Sequence, residues 1–307
     1  MQQIRRLQPI NFLNLILFLF LNCLTAFSHA TPPQEVAITS LDGTVLKAWV
    51  FHKDSKRGTV IAFHGCGGLY INAGERKGSL NARHQAMADL LVQQGYNVVF
   101  PDSLKPRGET SICAAPIGSR NITQRERRAD ALATLAWVAQ QPWADKDRIA
   151  ALGWSHGGSA VLAVTDATNK VVQSNQVTQL TNQASTEKLL FKTAIAFYPG
   201  CAESLKNGYR PNTGLTLFLG ADDDWTPPIP CMDLAKQLQA DKYAVELNVY
   251  EGAVHDFDNP VGQVVERKNI PSRLHPGRGV MAGANPAARE KAYARLLEIL
   301  KEALPAL

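Results

Sequence analysis

The stretch Arg148-Ile-Ala-Ala-Leu-Gly-Trp-Ser-His-Gly-Gly158 decides the fold of this 307-residue chain. An apolar run leads into the pattern Gly153-x-Ser155-x-Gly157, and the apolar segment Ser159-Ala-Val-Leu-Ala-Val164 follows it. This order predicts a strand, a sharp turn and a helix, with the serine at the turn. The flanking glycines relieve crowding there, so the serine can be exposed at the C-terminal edge of a sheet. We predict that Ser155 is a nucleophile; the alternative is a structural glycine-rich turn.

Apolar, β-branched runs alternate with helical patterns along most of the chain. This alternation predicts an α/β fold in which helices flank a mostly parallel central sheet of about eight strands. The first two strands have no helix between them, so we expect an antiparallel hairpin at one edge. The predicted strands are Glu35–Thr39, Val45–Phe51, Val60–Phe63, Asn97–Phe100, Arg148–Leu152, Thr193–Phe197, Leu215–Leu219 and Val245–Tyr250. The predicted helices are Ala82–Gln94, Thr123–Gln140, Gly157–Asp166, Met232–Ala240 and Ala287–Ala303.

A serine hydroxyl is a weak nucleophile and needs a base within hydrogen-bond reach, which in turn needs an orienting acid. Two predicted strands after Ser155 end in suitable residues: one runs into Asp222, Asp223 and Asp224, and the other is followed by His255. The carboxyl ends of parallel strands meet at one edge of a sheet, where sites assemble. We predict that His255 is the base. The spacing alone leaves all three aspartates open as the acid.

A glycine-rich loop, His64-Gly-Cys-Gly-Gly68, follows an early central strand. Backbone N–H groups of such a loop can approach a substrate oxygen, and we predict an oxyanion hole formed by the N–H groups of Cys66 and His156. Binding of a dinucleotide phosphate is the alternative, but the full Gly-x-Gly-x-x-Gly pattern is missing. Neither a cofactor nor a metal ion is expected, since no Cys-x-x-Cys or Cys/His cluster occurs.

With these features the chain resembles the dienelactone hydrolase family, within the α/β-hydrolases. The resemblance extends over most of the chain, and its marks are His64–Gly68, Phe100–Ser103, Arg127–Asp130, Gly153–Gly158, Phe197–Gly200, Gly220–Asp223 and Gly252–Phe257. The family spacing Gly-x-x-Asp implies Asp223 as the acid, with Asp224 second, and the element Gly-Ala-x-His implies His255 as the base. The enzymes that give the family its name use a cysteine nucleophile, whereas this chain has Ser155. The resemblance therefore implies a broader esterase-like activity.

The first thirty residues have the pattern of a secretory signal peptide. Arg5 and Arg6 precede the apolar run Phe12–Leu21, and Ser28-His-Ala30 fits a cleavage site. The apolar run is shorter than the roughly 20 residues of a membrane-spanning helix, which argues against a transmembrane anchor. We predict that residues 1–30 are removed and that the protein is exported, to the periplasm or outside the cell.

Residues 31–307 are predicted to form a single α/β-hydrolase domain. The formal net charge of the chain is +5, without a block of lysine and arginine. Nucleic acid is therefore not an expected partner, and neither is stable membrane insertion after cleavage. Two stretches depart from the strand–helix rhythm: Lys170–Lys188 is predicted to be a surface extension, and Asn259–Asn285 a long loop. The long loop is interpreted either as a rim of the site or as a surface wrap.

Four cysteines remain after the predicted cleavage, and an exported chain can join them in two disulfides. Counting leaves three pairings open, with buried free thiols as a further alternative. The expected topology brings the loops that carry Cys66 and Cys113 to the C-terminal edge of the sheet, and likewise those of Cys201 and Cys231. We predict the pairs Cys66–Cys113 and Cys201–Cys231.

The sequence thus predicts a serine hydrolase that cleaves an ester or lactone bond of a small substrate through an acyl-enzyme. A serine peptidase of the same fold is the first alternative, since it would use the same residues. A non-catalytic binding protein on this scaffold is the second.

Overall fold

The computed structural model describes residues 33–52, 57–173 and 188–306. Its eight-stranded sheet consists of β1 (Gln34–Thr39), β2 (Val45–Phe51), β3 (Thr59–Phe63), β4 (Asn97–Asp102), β5 (Ile149–Trp154), β6 (Thr193–Phe197), β7 (Gly214–Gly220) and β8 (Val245–Tyr250). The spatial order is β1-β2-β4-β3-β5-β6-β7-β8. Strand β2 pairs antiparallel with β1 and β4, and all other neighbours in the sheet are parallel. The predicted fold class and the antiparallel hairpin at one edge are confirmed.

The central strands are continuous apolar runs because both of their faces are covered. Every residue of β3, β4, β5 and β6 is buried. Successive side chains of a strand point to opposite faces. In β3, Ile61 and Phe63 accordingly belong to one hydrophobic cluster, whereas Val60 and Ala62 belong to another. The sheet is the middle of three layers, and each outer layer packs on one of these clusters.

Helices form the outer layers. They are α1 (Ala82–Gln93), α2 (Gln124–Ala139), α3 (His156–Thr165), α4 (Lys170–Gln173), α5 (Ala202–Lys206), α6 (Ile229–Ala240) and α7 (Pro286–Ala303). Buried side chains of α2, α3 and α6 lie in the first cluster, and those of α1 and α7 lie in the second. Helix α2 begins with a capping box in which the Thr123 hydroxyl and the Glu126 carboxylate satisfy the first backbone N–H groups. The five predicted helices are present, with ends that differ by up to three residues.

Both predicted disulfides are present. Cys66 is bonded to Cys113 and Cys201 to Cys231, with Cα–Cα distances of 4.9 and 5.0 Å. These distances lie in the ordinary range for disulfides. The two bonds close segments of 47 and 30 residues.

The segment that was predicted as a long loop contains a second, small sheet. Strands β9 (Val265–Pro271) and β10 (Gly279–Ala282) pair antiparallel with one irregularity in register. The side chains of β9 are exposed or half-buried. The sequence of β9 therefore lacks the alternation of apolar and polar residues that predicts a strand. We call Val265–Ala282 the cleft hairpin. The prediction of a long loop was wrong over these residues.

Two predictions fall mainly on residues outside the described ranges. These are the signal peptide over residues 1–30 and most of the surface extension after Lys170. The single domain over residues 31–307 likewise stays a prediction. Within the ranges that the structure describes, no helix combines the length and apolar character needed to cross a membrane.

Candidate active site

Ser155 lies at the turn between β5 and α3, in a backbone conformation that residues other than glycine rarely adopt. Its φ and ψ are 53° and −117°. The glycines around it have no room for a side chain: a Cβ on Gly153 would lie 2.2 Å from the carbonyl oxygen of Gly157, and one on Gly157 would lie 2.0 Å from that of Phe63. The turn is therefore as tight as the Gly-x-Ser-x-Gly pattern predicts, and the serine stands strained at the C-terminal edge of the sheet.

His255 lies beside Ser155 although a hundred residues separate them in the chain. Its Nε2 is 2.9 Å from Ser155 Oγ. The imidazole packs against two aromatic rings, and its centroid lies 4.6 Å from that of Tyr198 and 4.7 Å from that of Trp225. The structure thus brings the predicted nucleophile and the predicted base within hydrogen-bond distance.

Asp223 supplies a carboxylate to the other side of the same imidazole. Its Oδ2 lies 2.7 Å from Nδ1 of His255. Its Oδ1 accepts hydrogen bonds of 2.9 Å from the backbone N–H groups of Trp225 and Thr226. These two bonds orient the carboxylate, so that Oδ2 faces the histidine. His255 Nδ1–H donates to Asp223, and Nε2 is left to accept the serine proton.

The neighbours of Asp223 have other surroundings. Asp222 is exposed. Asp224 is buried, and its Oδ1 accepts a hydrogen bond of 2.7 Å from the backbone N–H of Met281 in β10. Of the three aspartates that the spacing left open, Asp223 is the one at His255.

The charge environment sets His255 apart from two other buried histidines, His64 and His84, and from the half-buried His156. Burial of the His255 ring disfavours its charged form, but the Asp223 carboxylate outweighs burial and raises the pKa of His255 above the ordinary 6.5. Burial, together with the nearby arginines, lowers the pKa of His84 and of His156 to about 3. The pKa of His64 is likewise lowered well below 6.5, first by burial and then by Arg127. His255 is therefore the one of these four that is poised to gain a proton near neutral pH.

Thr226 is a part of the site that the sequence analysis missed. Its hydroxyl lies 3.0 Å from both Asp223 Oδ2 and His255 Nδ1, and it also lies 3.0 Å from the carbonyl oxygen of Tyr198, to which it can donate. The hydroxyl connects the aspartate loop to the end of β6. A threonine three residues after an aspartate that caps a turn is the local signal that points to it.

The glycine loop lies against Ser155. A Cβ on Gly65 would lie 3.3 Å from the Trp154 carbonyl oxygen and 3.5 Å from the Cβ of Ser155, so Gly65 lies beside the serine turn. Cys66 lines the same cleft as Ser155, and His156 is the first residue of α3. The structure thus places both predicted oxyanion-hole residues next to the serine, and their role stays a prediction.

Arg127, in one of the segments that mark the family resemblance, contacts the start of the glycine loop, a contact that the sequence analysis did not predict. It is fully buried, and its Nη2 donates a hydrogen bond of 2.7 Å to the carbonyl oxygen of His64. The His64 ring is fixed as well: Nδ1 lies 2.8 Å from the Gly65 carbonyl oxygen, and Nε2 accepts from the Ser103 backbone N–H at 3.1 Å. His64 therefore anchors the loop as a neutral side chain.

A second buried network lies behind the serine and the histidine. Asp258 is fully buried and accepts hydrogen bonds from Trp154 Nε1 at 2.7 Å, from the Tyr293 hydroxyl at 3.1 Å and from the Tyr198 hydroxyl. Arg83 lies 3.4 Å from the same carboxylate. Trp154 immediately precedes Ser155, so the network fixes the strand end that carries the serine.

A cleft of about 380 Å³ opens above these groups. Ser155 and His255 lie in its floor, and the cleft hairpin contributes Arg267, Asn269 and Ile270 to one wall. Hairpin strand β10 is tied to the histidine loop, since the Gly283 N–H donates to the His255 carbonyl oxygen at 2.9 Å. In the part of the chain that the structure describes, no group of three or more His, Cys, Asp or Glu side chains is arranged to hold a metal ion.

Comparison with known proteins agrees with this architecture. A sequence profile of the prolyl oligopeptidase family (Peptidase_S9) matches residues 83–270, which is more than half of the chain. The matched region contains Ser155, Asp223 and His255. No curated protein matches the chain significantly.

Three solved structures illustrate the shared fold. A dienelactone hydrolase-like promiscuous phosphotriesterase from metagenomic libraries is 18% identical, with a TM-score of 0.63 and coverage of 90% of this chain and 99% of that one. Thermogutta terrifontis esterase 2, phosphorylated by paraoxon, is 18% identical, with a TM-score of 0.56 and coverage of 88% and 94%. Porphyromonas gingivalis dipeptidyl peptidase 4 is 17% identical, with a TM-score of 0.56, and covers 90% of this chain but only 36% of its own. At these identities the likeness is one of fold.

Proposed function

We propose that this chain, which belongs to the prolyl oligopeptidase family within the α/β-hydrolases, is a serine hydrolase. We further propose that it cleaves an ester or lactone bond of a small substrate through an acyl-enzyme. The observation that carries the proposal is the unbroken series of hydrogen bonds from Asp223 through His255 to Ser155, at the floor of a cleft. Such a series is what a weak hydroxyl nucleophile requires.

In the proposed mechanism His255 acts first as a base and then as an acid. Nε2 takes the proton of Ser155 as Oγ attacks the carbonyl carbon, and the Asp223 carboxylate stabilises the imidazolium that forms. His255 then gives the proton to the alkoxy oxygen as its bond to the acyl carbon breaks and the acyl-enzyme forms. The alcohol of an ester departs, whereas that of a lactone stays attached to the acyl group. A water molecule attacks the acyl-enzyme in the same way, with His255 again as base. Hydrolysis releases the acid and restores Ser155.

The developing oxyanion needs donors that are in place before the reaction. We assign this role to the backbone N–H groups of Cys66 and His156. The position of Gly65 beside the serine turn supports the first assignment, and the position of His156 at the start of α3 supports the second. The positive end of that helix favours negative charge at the same place.

A small ester or lactone fits the site better than a peptide. The cleft holds about 380 Å³, which is near the lower end for small-molecule sites. The phosphotriesterase and the esterase match this chain over nearly their whole length, whereas the dipeptidyl peptidase is much longer. Peptide hydrolysis is the second candidate function, because the matching profile is that of a peptidase family. A non-catalytic binding protein is a weaker alternative, because the hydrogen-bonded series is intact.

We further propose that the protein is exported after removal of residues 1–30 and works in the periplasm or outside the cell. Two disulfides are compatible with such a compartment. Nucleic acid and stable insertion in a membrane are not part of this proposal.

A fluorophosphonate with a fluorescent reporter tests the proposed function directly. We expect it to label the native protein at Ser155, and we expect neither the Ser155→Ala variant nor heat-denatured protein to be labelled. Chromogenic esters of increasing acyl length, assayed beside peptidyl nitroanilides, separate the two enzyme classes. Faster turnover of the nitroanilides would favour the peptidase. Ester turnover by Ser155→Ala at the native rate would exclude this serine as the nucleophile.

A further inference from the structure

The disulfide between Cys66 and Cys113 lies in the wall of the cleft. Both cysteines line it together with Ser155 and His255. Cys66 is also the residue whose backbone N–H is assigned to the oxyanion hole. The bond therefore joins that residue covalently to the segment that follows β4.

The glycine loop has little means of holding its own shape. Three of the four residues from Gly65 to Gly68 are glycines, so no side chain packs to fix them. The one backbone hydrogen bond within the described loop, from the Gly68 N–H to the Gly65 carbonyl oxygen, is 3.2 Å long. Glycine backbones have the widest conformational freedom. The position of the Cys66 N–H must therefore be set by what contacts the loop.

One short segment, Thr110–Cys113, contacts the loop at both Cys66 and Gly68. The Ile112 N–H donates a hydrogen bond of 2.9 Å to the Cys66 carbonyl oxygen. The Thr110 carbonyl oxygen lies so near Gly68 that a Cβ there would be 2.7 Å away. The disulfide between Cys66 and Cys113 adds a covalent link to these contacts. Arg127 holds only the preceding residue, on the other side of the loop.

The same segment also touches the histidine side of the site. Cys66 and Ile112 belong to a small buried hydrophobic cluster against which Trp225 packs. The Trp225 ring lies 4.7 Å from the His255 ring. A shift of the segment would therefore disturb both the glycine loop and the packing of the imidazole.

The second disulfide provides a matched comparison within the same chain. Cys201 and Cys231 are 2% and 0% exposed, and neither lines the cleft. This bond closes 30 residues, against 47 for the first. Segments of these lengths lose similar chain entropy on closure, so the two bonds stabilise the fold to a similar degree and differ in their distance from the reaction.

We propose that the Cys66–Cys113 disulfide is a positioning element for acyl transfer, which holds the Cys66 N–H where the oxyanion forms. Cys113 is accordingly a positioning residue that acts through Cys66 and does not touch the reacting atoms. This inference rests on the proposed function. An oxyanion contact is made in the transition state and not in the bound substrate, so loss of the disulfide must lower kcat more than it raises KM.

The first experiment compares two double variants on one chromogenic ester. In Cys66→Ser/Cys113→Ser we expect kcat to fall about tenfold or more, with KM changed less than about threefold. In Cys201→Ser/Cys231→Ser we expect kcat within about twofold of the native value at a temperature where both variants are folded by circular dichroism. The contrast between the pairs separates positioning from general stabilisation.

A second measurement keeps the test valid if a variant does not fold. Tris(2-carboxyethyl)phosphine converts one disulfide and one water molecule into two thiols, and the phosphine becomes its oxide. Cys113 is half-buried and lies in the cleft, whereas the other bond is fully buried, so the native protein should lose the first bond before the second. We expect kcat to fall as alkylation detects thiols at Cys66 and Cys113, and to recover on reoxidation.

Retention of the native kcat after loss of Cys66–Cys113 alone would overturn the inference, as would an equal loss of kcat in both double variants. These results leave the proposed function intact, because the native protein still turns over esters. A native protein that neither hydrolyses esters nor reacts with the fluorophosphonate would instead overturn the proposed function, and this inference with it.

Discussion

Asp223 and Asp224 are neighbours in the chain and both are buried, yet their carboxylates bind different parts of the protein. Asp223 Oδ2 lies 2.7 Å from His255 Nδ1, whereas Asp224 Oδ1 accepts a 2.7 Å hydrogen bond from the backbone N–H of Met281 in the cleft hairpin. The Asp223 carboxylate therefore contacts the imidazole, and the Asp224 carboxylate contacts the hairpin in the wall of the cleft. Substitutions at the two positions should have separable kinetic effects.

Replacement of Asp223 by asparagine should lower kcat by about 10²–10⁴, since an amide neither stabilises the imidazolium nor selects the Nδ1–H form of the ring. Asp222→Asn is the matched control, because Asp222 is exposed, and it should retain the native kcat. Steady-state kinetics on one chromogenic ester checks both. An equal effect of the two substitutions would contradict the assignment of the acid.

Replacement of Asp224 by alanine should raise KM about three- to tenfold with little change in kcat, because the cleft hairpin loses one of its anchors. Asp224→Asn should behave like the native protein, since its side-chain oxygen can still accept the hydrogen bond from Met281. The measurement is a KM comparison on esters of different size. A collapse of kcat in Asp224→Asn would instead identify Asp224 as the acid.

The raised pKa of His255 predicts the pH dependence of the reaction. The ring must be neutral to accept the serine proton, so kcat/KM should rise with pH through the pKa of His255, with a midpoint above the ordinary 6.5. In Asp223→Asn the midpoint should move to lower pH, because burial remains while the opposing carboxylate charge is gone. Residual activity of this variant suffices for a pH profile. An unchanged midpoint in this variant would show that the titration of another group controls the rise of kcat/KM with pH.

The network around Asp258 predicts a large effect on stability. Alanine at this position removes the acceptor of the buried Trp154 N–H and of the Tyr198 hydroxyl. It leaves the Tyr293 hydroxyl with only the backbone carbonyl oxygen of residue 258, at 3.4 Å, and removes one partner of Arg83. We expect a loss of about 3–5 kcal/mol in the free energy of unfolding, measured by urea denaturation.

Glu298→Ala is the control for that measurement. The Glu298 side chain is 63% exposed and pairs with Arg295 at 2.9 Å on the surface of α7. Its loss should change the free energy of unfolding by about 0–1 kcal/mol. If both variants unfold at the same urea concentration, the buried network around Asp258 does not stabilise the fold as predicted.

The sequence predicted the sheet well because its signals are local. Continuous apolar runs indicate strands that are covered on both faces. The tight turn at Ser155 requires glycine at positions 153 and 157, so the sequence indicates it directly. The candidate acid and base could be proposed because the carboxyl ends of parallel strands meet at one edge. Composition alone could not identify the acid among three adjacent aspartates. Their hydrogen-bond partners on distant segments identify it.

What the sequence did not reveal depends on contacts between remote residues. Arg127 reaches the carbonyl oxygen of His64 across 63 positions, and Asp258 binds the side chain of Trp154 across 104. The cleft hairpin escaped detection because β9 is largely exposed, β10 has only four residues, and the segment carries prolines and glycines, which are typical of loops. Such features are visible only once the chain is folded.

The way in which the cleft hairpin joins the fold makes it an exchangeable module. The chain leaves the histidine loop after Asp258 and returns beside its point of departure, where the N–H groups of Gly283 and Asn285 donate to the carbonyl oxygens of His255 and Phe257 at 2.9 Å each. The backbone supports at Gly283 and Asn285 lie at the ends of the segment, and within it Met281 adds one hydrogen bond to Asp224. Grafting of hairpins from other hydrolases between these ends is therefore a route to altered substrate preference, both for a lineage under selection and for a protein engineer.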